Sequence, residues 1–427
     1  MKFILATIGT AGDVNPFAAV GRALRARGHH VTLVTGASFA DVAAREGFDF
    51  VELFSREEYE SILQDPYLRR PFRSVKLFME KSILPCMRRL YDIIAERADS
   101  DTIVVAPNHA LGARVAQEHL DVPLATLAIA PFAFRTTDQR RPVLGIELPR
   151  WAPGFVHSFL FEAENVAGDQ IYGRSVNKFR AKFGLEPKRQ IFWNWWNSPE
   201  LVIGMFPDWF AAPHQGWPAN TQLFGFPLYD SFEELPQSLV DYLDDGEPPI
   251  VVTFGSGMAQ AKDIFAAAAK ACQRIGHRAL FITKYSDQVP EELPETIRHI
   301  PYASFPALFP RVACVVHHGG IGTSSQALAA GVPQLIVPFC TDQPDNAMRL
   351  ERLGTGVSIL PGKFTPQRAA ETLQKLLSEP QIKKRCLEVA QKCQGGTGLD
   401  QVCQALEKLH RAQPEQAATN KLQSVIA

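Results

Sequence analysis

Short apolar runs alternate along this chain with segments of helical periodicity, and this alternation constrains the fold more than any other feature. It is typical of parallel strands joined by crossover helices. In the first half the sequence predicts strands at Lys2–Ile8, His30–Thr35, Thr102–Ala106 and Pro123–Ala128. In the second half it predicts strands at Ile250–Phe254, Arg278–Thr283, Val312–His317 and Gln334–Pro338. We therefore expect an α/β protein with two doubly wound parallel sheets.

The length of 427 residues is too great for one ordinary hydrophobic core, so we expect two domains. An acidic, proline-bearing stretch separates the two series of strands and suits a linker. The predicted units are a first domain at 1–228, a linker at 229–248, a second domain at 249–410 and a polar tail at 411–427. The long helical segment Ser74–Ala98 and the irregular aromatic stretch Phe192–Trp217 fall in the first domain.

Composition and charge exclude several classes of protein. The formal net charge is -1 and no run of Lys and Arg forms a phosphate-binding footprint, so we expect no nucleic acid partner. The start, MKFILATIG, reads as a buried strand rather than a signal peptide, and no apolar run reaches the roughly 18 residues of a membrane span. Seven cysteines without C-x-x-C argue against a disulfide framework and a zinc site. We expect a cytoplasmic protein.

The stretch ATIGTAGDVNPF carries a lone carboxylate, Asp13, after the first predicted strand. Asn15 followed by Pro16 predicts a helix start, which would leave Asp13 in the preceding loop. That loop lies at the carboxyl end of a strand, where open α/β sheets bind their ligands, and Gly9 and Gly12 allow a close approach of the backbone. Asp13 is therefore a candidate for chemistry, and the alternative that it only caps the turn stays open.

A second candidate site follows the strand that ends at His317, in HHGGIGTSSQALAAGVPQ. A glycine-rich turn leads there into a helix predicted to open near Thr323, and such a turn presents backbone N–H groups to phosphate. The glycine spacing is not the dinucleotide fingerprint G-x-G-x-x-G. Asp342 and Gln343 follow the next strand at the same edge of the sheet. The two neighbouring histidines point to opposite faces of a strand and are poor metal partners for each other.

These segments resemble the inverting nucleotide-sugar glycosyltransferases of family 1, whose GT-B fold has two facing Rossmann-like domains with a cleft between them. The resemblance covers most of the chain and includes, in family order, MKFILATIGTAGDVNPF, ALGARVAQEH, FPDWFAAPHQGWP, GFPLYD and GGIGTSSQALAAGVPQ. Within the family the chain most resembles the rhamnosyltransferases of rhamnolipid synthesis. It resembles the sterol and glycopeptide-antibiotic glycosyltransferases more loosely.

The resemblance implies a role for individual residues. Asp13 would be the general base. The diphosphate of the donor would contact His317, Ser256 and the N–H groups of Gly320, Gly322 and Thr323. The donor sugar would contact Asp342 and Gln343, and the nucleoside would contact Tyr302 and Ser325. The acceptor region would include Gly12, His109, Trp193, Trp195 and Trp196.

Two departures from the family pattern affect these expectations. Many UDP-sugar enzymes carry a ribose-binding glutamate where this chain has Ser325, and its loss fits the deoxyribose of dTDP. Sterol glycosyltransferases also lack that glutamate and use UDP-glucose, so UDP stays open. Where other members carry an aspartate that supports a catalytic histidine, this chain has Pro107, Asn108 and His109. Asp13 would therefore work alone, as a carboxylate with a pKa of about 4.

The remaining motifs have competing interpretations. The tryptophans at 193, 195 and 196 could line an apolar acceptor channel or pack the first domain. The D-x-D motif at Asp99–Asp101 precedes a predicted strand, at the wrong end of the sheet for a metal site, and we expect a solvated turn there.

We therefore expect an inverting, metal-independent glycosyltransferase that needs no cofactor and moves rhamnose from dTDP-rhamnose to a hydroxyl of a lipid-like acceptor. Its partners would be the donor, the acceptor, and either an acceptor-supplying protein or the inner face of a membrane. The alternatives are UDP-glucose transfer to a sterol or polyketide, a nucleotide-sugar epimerase on the same fold, and a non-catalytic auxiliary subunit. An epimerase would leave the aromatic stretch unexplained, and an intact Asp13 speaks against the subunit.

Overall fold

Two parallel β-sheets organise the chain in a computed structural model, which describes residues 1–69, 71–134, 153–229, 234–396 and 398–410. The first sheet contains β1 (Lys2–Ala6), β2 (His30–Gly36), β3 (Asp49–Phe54), β4 (Thr102–Ala106), β5 (Leu124–Ala128), β6 (Leu201–Gly204) and β7 (Thr221–Leu223). The second contains β8 (Ile250–Thr253), β9 (Ala279–Ile282), β10 (Ile297–Ile300), β11 (Cys314–His317), β12 (Gln334–Ile336) and β13 (Gly356–Ser358). The prediction of two parallel-sheet domains is confirmed.

The strand order places the candidate ligand sites. The first sheet runs β3-β2-β1-β4-β5-β6-β7 and the second β10-β9-β8-β11-β12-β13, and every described pair is parallel. In each sheet the order reverses beside the first strand, between β1 and β4 and between β8 and β11. Open α/β sheets bind ligands at this switch point, outside the carboxyl ends of the strands.

Helices cover both sheets. The described α-helices are α1 (Ala11–Ala26), α2 (Ala40–Glu46), α3 (Arg56–Leu63), α4 (Pro71–Phe78), α5 (Leu84–Arg97), α6 (Leu111–Leu120), α7 (Gly154–Gly168), α8 (Arg174–Ala181), α9 (Gln237–Asp244), α10 (Lys262–Ile275), α11 (Phe305–Leu308), α12 (Ile321–Ala329), α13 (Gln343–Leu353), α14 (Pro366–Ser378), α15 (Pro380–Cys393) and α16 (residues 399–410). Short 3₁₀ turns occur at Ala37–Phe39, Pro66–Arg69, Pro131–Ala133, Ser286–Gln288, Phe309–Arg311 and Pro361–Lys363. No helix among these described segments is long and apolar enough to cross a membrane.

The central strands are buried on both faces, which is why they read as continuous apolar runs rather than as alternating patterns. Phe3 and Leu5 on β1 are fully buried, as are Val251 and Val252 on β8. Each such side chain stabilises the fold by about 1.5–3 kcal/mol through its burial. The eight predicted strands lie in the sheets, with ends that differ by up to two residues.

Short strands escaped the sequence analysis. The structure adds β3, β6, β7, β10 and β13, which are edge strands or lie next to an edge strand and have three to six residues each. β3, β7, β10 and β13 carry exposed or half-buried polar residues, and β6 is apolar but only four residues long, so no long apolar run marks these strands.

The predicted long helix Ser74–Ala98 is interrupted. A π-helical turn at Met79–Ile83 separates α4 from α5. Pro85 stands at the start of α5, and because it has no N–H it cannot continue the regular i→i−4 ladder. Two further π-helical stretches lie at Asp169–Gly173, between α7 and α8, and at Ile191–Trp195.

The last helix crosses back to the first domain, which differs from the predicted boundary at 249–410. Val402, Cys403 and Leu406 on α16 are buried in the core built on β1. Glu407 accepts hydrogen bonds from Arg27 (2.8 Å) and pairs with His29 (2.9 Å). The sequence of α16 does not indicate which domain the helix packs against, so this crossing was not predicted. The predicted tail at 411–427 and residues 230–233 of the predicted linker lie outside the described residues.

The two domains meet along an apolar interface. Phe134, Phe206, Phe210 and Trp217 of the first domain share one buried cluster with side chains from α12, α13 and α15. Arg349 on α13 pairs with Asp345 (2.8 Å) and donates to the carbonyl of Phe210 (3.2 Å), so a buried ion pair fixes this contact.

Candidate active site

Asp13 lies inside a helix rather than in a loop. Helix α1 begins at Ala11 with Thr10 as its N-cap, so Asn15 does not cap it and Pro16 lies within it. The predicted helix start is therefore wrong. The reason is a capping box, in which the backbone N–H of Thr10 donates to Asp13 Oδ2 (2.7 Å) and the Thr10 hydroxyl approaches the same oxygen (3.2 Å).

Both interactions go to Oδ2, so Asp13 combines the capping role with a second oxygen, Oδ1, that takes no part in the cap. Burial raises the pKa of Asp13 to about 6, and the hydrogen bonds from Thr10 oppose part of that rise. The expected pKa of about 4 is thus too low. A pKa near 6 leaves the group ionised at neutral pH and makes it a stronger base.

Gly9 lets the loop close around this carboxylate. Its φ is +148°, and a Cβ placed there would lie 2.2 Å from Asp13 Oδ2. A side chain at this position would displace the carboxylate, so glycine is required by a close approach. Gly12 is exposed on the first turn of α1 beside Asp13.

His109 lies three residues after the end of β4, next to the loop between β1 and α1. Its Nε2 is 3.1 Å from the carbonyl oxygen of Ile8, and because a carbonyl only accepts, this nitrogen carries the proton. Burial lowers the pKa of His109 and favours the neutral ring. The ring is thus tied to Ile8 and makes no hydrogen bond to Asp13 in the described structure.

Asp342 faces Asp13 from the second domain. It accepts hydrogen bonds from Asn346 Nδ2 (2.7 Å) and from the Thr341 hydroxyl (3.1 Å). Burial raises the pKa of Asp342 to about 6, and the charge of Asp13 adds to the rise. The two carboxyl groups, one from each domain, are thus near enough for the charge of one to act on the other.

Gln343 is largely used within its own domain. Its Oε1 accepts hydrogen bonds from the backbone N–H groups of Phe339 (2.8 Å) and Cys340 (3.3 Å). Of the polar groups of the Gln343 side chain, only the NH₂ group therefore takes no part in these hydrogen bonds. Asn346, which sequence reasoning missed, also donates to the carbonyl of Gly319 (2.9 Å) and so joins Asp342 to the glycine-rich turn.

The glycine-rich turn presents the start of α12. Gly319 has φ +87° and Gly320 is the N-cap, which places Gly322 and Thr323 in the first turn of the helix. The first N–H groups of a helix have no partner within it, and they favour an anion. The first turn of α12 contains no acidic residue to occupy this position.

The structure does not bring His317 to this anion site, which corrects the expected role. His317 is fully buried, and its Nδ1 accepts a hydrogen bond from the N–H of Gly319 (3.1 Å). Its Nε2 then carries the proton and contacts Gln334 Oε1 (2.9 Å). Burial lowers the pKa of His317 to about 3. Both nitrogens of the neutral ring are therefore used inside the domain.

His318, rather than His317, lies beside the glycine-rich turn and the loop after β8. Its ring lies between two glycines: a Cβ on Gly320 would be 2.3 Å from its Nε2, and one on Gly255 would be 2.8 Å from its Cε1. Its Nδ1 is buried and has no hydrogen-bond partner in the structure. Burial lowers the pKa of His318 to about 4. Strand alternation implied that only one of the two histidines faces the crevice, and the contacts of the two rings show that it is His318.

Ser256 lies in the loop after β8, opposite the start of α1. Its carbonyl accepts a hydrogen bond from the Tyr285 hydroxyl (3.1 Å), a residue that sequence reasoning did not single out. A Cβ on neighbouring Gly257 would lie 2.8 Å from Thr10 Cγ2, so the loops of the two domains are in close contact.

The two expected nucleoside contacts differ in exposure. Tyr302 follows β10 and exposes 51% of its surface, as a stacking platform requires. Ser325 is buried and its hydroxyl donates to the carbonyl of Gly322 (2.9 Å). The Ser325 hydroxyl is thus engaged with its own helix and offers no carboxylate to a ribose.

The three tryptophans of the aromatic stretch have different environments. Trp195 is buried, whereas Trp193 and Trp196 are partly exposed. The ring of Trp193 lies 6.3 Å from that of Phe132, which lies in the 3₁₀ turn Pro131–Ala133 after the carboxyl end of β5. Trp195 is therefore part of the packing, and Trp193 is the one that reaches toward the cleft.

No group of three or more His, Cys, Asp or Glu side chains that could hold a metal ion occurs within the described part of the chain. Asp99 of the D-x-D motif pairs with Lys2 (2.5 Å) and accepts a hydrogen bond from Thr102 (2.7 Å). These contacts lie at the amino end of the first sheet, away from the cleft.

Comparison with known proteins adds family information. Residues 3–137 match the glycosyltransferase family 28 N-terminal domain, and residues 276–409 match the C-terminal domain of erythromycin biosynthesis protein CIII-like proteins. The chain is 27% identical to an O-mycaminosyltylonolide 6-deoxyallosyltransferase from Streptomyces fradiae, over 96% of this chain and 97% of that protein. It is 26% identical to a sterol 3-beta-glucosyltransferase from Saccharomyces cerevisiae over 95% of this chain, which spans 35% of that longer protein.

A solved structure agrees with the fold. The spinosyn rhamnosyltransferase SpnG, complexed with thymidine diphosphate, superimposes with a TM-score of 0.69 over 95% of this chain and 100% of that chain, at 15% identity. Together with the two facing sheets, these matches identify the chain as a glycosyltransferase of the GT-B fold, whose N-terminal part is similar to the family 28 domain and whose C-terminal part is similar to the EryCIII-like domain.

Proposed function

We propose that the protein transfers a sugar from a nucleoside diphosphate to a hydroxyl group of a hydrophobic acceptor, with inversion at the anomeric carbon. The observation that carries this proposal is the arrangement of the cleft. A carboxylate with a raised pKa, Asp13, faces an anion site at the start of α12, and a second carboxylate, Asp342, lies beside it.

The acceptor hydroxyl loses its proton to Asp13 as its oxygen attacks the anomeric carbon. The bond from that carbon to the diphosphate oxygen breaks on the opposite side, which inverts the configuration. Oδ1 of Asp13 is suited to take the proton because Oδ2 is held by Thr10. The proton is lost late in an oxocarbenium-like reaction, so a base with a pKa of about 6 suffices.

The leaving diphosphate needs positive partial charge. The N–H groups of Gly322 and Thr323, the ring of His318 and the hydroxyl of Ser256 are proposed to supply it without a metal ion. A diphosphate beside His318 would raise the pKa of that ring from about 4 and strengthen the contact. Asp342 is proposed to accept hydrogen bonds from the hydroxyls of the donor sugar.

We infer a dTDP-sugar donor, with dTDP-rhamnose as the first choice. The buried Ser325 offers no carboxylate for a ribose 2′-hydroxyl, and the structurally similar SpnG is a rhamnosyltransferase that was solved with thymidine diphosphate. The second candidate is UDP-glucose transfer to a sterol, which the similarity to the yeast sterol glucosyltransferase favours. The acceptor is proposed to arrive from a membrane surface or a partner protein.

A donor-by-acceptor matrix tests the proposal. The purified protein is incubated with dTDP-rhamnose or UDP-glucose and one of three hydroxylated acceptors: 4-methylumbelliferone, ergosterol or 3-hydroxydecanoic acid. Product mass identifies transfer, and the one-bond carbon–hydrogen coupling at the anomeric centre identifies the configuration. Each reaction is repeated in EDTA. Turnover with UDP-glucose alone would replace the dTDP-sugar inference, retention of configuration would overturn the mechanism, and activity lost in EDTA and restored by Mg²⁺ would contradict metal independence.

A further inference from the structure

The aromatic stretch contains an unusual backbone. Gln190 has φ +53° and Trp193 has φ +71°, and both are non-glycine residues in the left-handed region. Each such residue costs of order 1–3 kcal/mol and persists only where its surroundings hold it. Backbone strain of this kind concentrates at functional sites, and it requires contacts that hold the strained residue in place.

Trp195, two residues on, is held by a buried charge cluster that we call the indole clamp: Arg114, Glu118 and Arg180. The indole Nε1 donates to Glu118 Oε1 (2.9 Å), and Arg114 Nε donates to the Trp195 carbonyl (3.0 Å). The guanidinium carbons of Arg180 and Arg114 lie 4.9 Å and 5.2 Å from the indole centroid. Arg180 also donates to the other oxygen of Glu118.

The start of the stretch is fixed as well. Both oxygens of Asp169 accept backbone hydrogen bonds, from Gln190 (2.5 Å) and from Ile191 (2.9 Å). With Asp169 on one side and the indole clamp on the other, the backbone at Trp193 has little freedom to relax. The strain at Trp193 is thus stabilised from both ends.

This backbone projects Trp193 into an aromatic wall. Its ring lies 5.1 Å from Phe161 and 5.4 Å from Trp196, besides the contact with Phe132 at the end of β5. Two buried polar atoms on the segments that carry these rings are unpaired. Asn165, one helical turn after Phe161 on α7, is 5% exposed, and its Oδ1 has no hydrogen-bond partner in the structure. The buried Nε1 of Trp196 has none either.

We propose that Arg114, Glu118 and Arg180 are positioning residues that hold Trp193 as the acceptor-binding wall, for a rigid hydrophobic ring system whose polar groups pair with Asn165. The inference rests on the proposed function, because it takes the acceptor to bind in the first domain. A flat ring can stack on an indole held in one orientation, and it gains more from that fixed orientation than a flexible chain does. The unpaired Asn165 oxygen accepts from an acceptor hydroxyl.

The test uses the full-length protein with four variants. Glu118→Gln keeps an acceptor for the Trp195 indole and removes the charge, Trp195→Phe removes the indole N–H, and Trp193→Ala removes the wall. Glu407→Gln is the matched control, since Glu407 pairs with Arg27 in the same domain and its side chain is as exposed as that of Glu118, at 17%. Both Glu→Gln changes remove a partly buried carboxylate: Glu118 pairs with Arg114 and Arg180, and Glu407 pairs with Arg27 and His29.

The readouts are the equilibrium Kd of 4-methylumbelliferone and of 3-hydroxydecanoic acid, the acceptor KM and kcat wherever transfer occurs, and the Kd of dTDP. We expect the Glu118→Gln, Trp195→Phe and Trp193→Ala variants to weaken 4-methylumbelliferone binding by up to about 10-fold, the value of one aromatic stacking contact. Their affinity for 3-hydroxydecanoic acid should fall less, and kcat and the dTDP affinity should change little. Glu407→Gln should change none of these values.

An unchanged Kd for 4-methylumbelliferone in both Glu118→Gln and Trp195→Phe would overturn the inference, as would an equal loss in Glu407→Gln. If Glu118→Gln does not fold, Trp195→Phe decides alone, because it leaves the ion pair intact. Failure of the wild-type protein to transfer sugar to any acceptor would contradict the proposed function. The binding data would still decide whether the indole clamp holds a ring-binding wall.

Discussion

The two domains contain the same local arrangement, a turn that leads from a strand into a helix, but the two helix starts differ in charge. In each, the first or fourth strand of the sheet leads through a glycine-containing turn into the start of a helix, α1 or α12. In α1 the third helical residue is Asp13, whose carboxylate occupies the anion position of its own helix. In α12 that residue is Thr323, and no acidic side chain lies in the first turn. One helix start is therefore filled by the protein's own carboxylate, and the other is suited to an external anion.

The difference supports the proposal that one cleft holds both a base and a diphosphate. In the proposed mechanism the two groups need different surroundings, because the base must accept a proton and the diphosphate needs positive partial charge. The structure separates the two demands. In the first domain the backbone N–H of Thr10 donates to Asp13 at the start of α1. In the second domain the glycine-rich turn and the ring of His318 form the proposed anion site.

The largest expected effect comes from Asp13→Asn, which separates the capping role of this residue from its role as a base. Asparagine can accept the same hydrogen bond from Thr10, so helix α1 and the fold should survive. Loss of the base should lower kcat by about 10²–10⁴-fold with little change in the Kd of dTDP. Steady-state kinetics and calorimetry measure the two values. Near-wild-type turnover by the folded variant would show that Asp13 only caps helix α1 and is not the base.

A smaller effect, on the other helix, should distinguish the neighbouring histidines. His318→Ala should weaken dTDP binding by about 1–3 kcal/mol, the cost of a lost charge-assisted hydrogen bond. His317→Ala should mainly lower the free energy of unfolding, because it removes the internal contacts to Gly319 and Gln334. Calorimetry with dTDP and urea unfolding measure both variants. If His317→Ala folds normally and loses dTDP binding while His318→Ala keeps it, the assignment is reversed.

The histidines also mark how far sequence reasoning extends. The parallel sheets, the cleft position of Asp13 and the anion site at the glycine-rich turn follow from the order of apolar runs and from strand-end geometry. Which of His317 and His318 faces the crevice depends on where β11 ends and on the path of the backbone after it, and no spacing rule in the sequence encodes that path. The helix start was misplaced because Thr10-x-x-Asp13 and Asn15-Pro16 are both good N-terminal signals, and the capping box prevailed.

A pH profile should sharpen the comparison further. Asp13 must be ionised to act as a base, and its pKa is raised to about 6, so kcat should fall as the pH drops below about 6. The charge of Asp13 raises the pKa of Asp342, and the interaction between two such groups is mutual. Asp342→Asn removes one of the two charges, so the remaining carboxyl group should ionise more easily.

The acidic limb of the kcat profile should therefore move to lower pH in Asp342→Asn, even though kcat itself falls through weaker contact with the donor sugar. The position of the limb is read from normalised rates between pH 4.5 and 8. A limb that stays in place would mean that the two carboxyl groups titrate independently, and the proposed closeness of the two sites would then lose its support.

The smallest expected effect is that of Thr10→Val, which tests the cap without touching the carboxylate. Valine has nearly the shape of threonine and keeps the backbone N–H that bonds to Asp13 Oδ2, so only the hydroxyl contact at 3.2 Å is lost. That contact lowers the pKa of Asp13, against the larger effect of burial. Its removal should therefore raise the pKa and shift the acidic limb to higher pH, opposite to Asp342→Asn. The free energy of unfolding should fall by about 0.5–1.5 kcal/mol, the net value of one hydrogen bond. If the limb moved to lower pH instead, the Thr10 hydroxyl would not be supporting the ionised base, and α1 would tune Asp13 through its backbone alone.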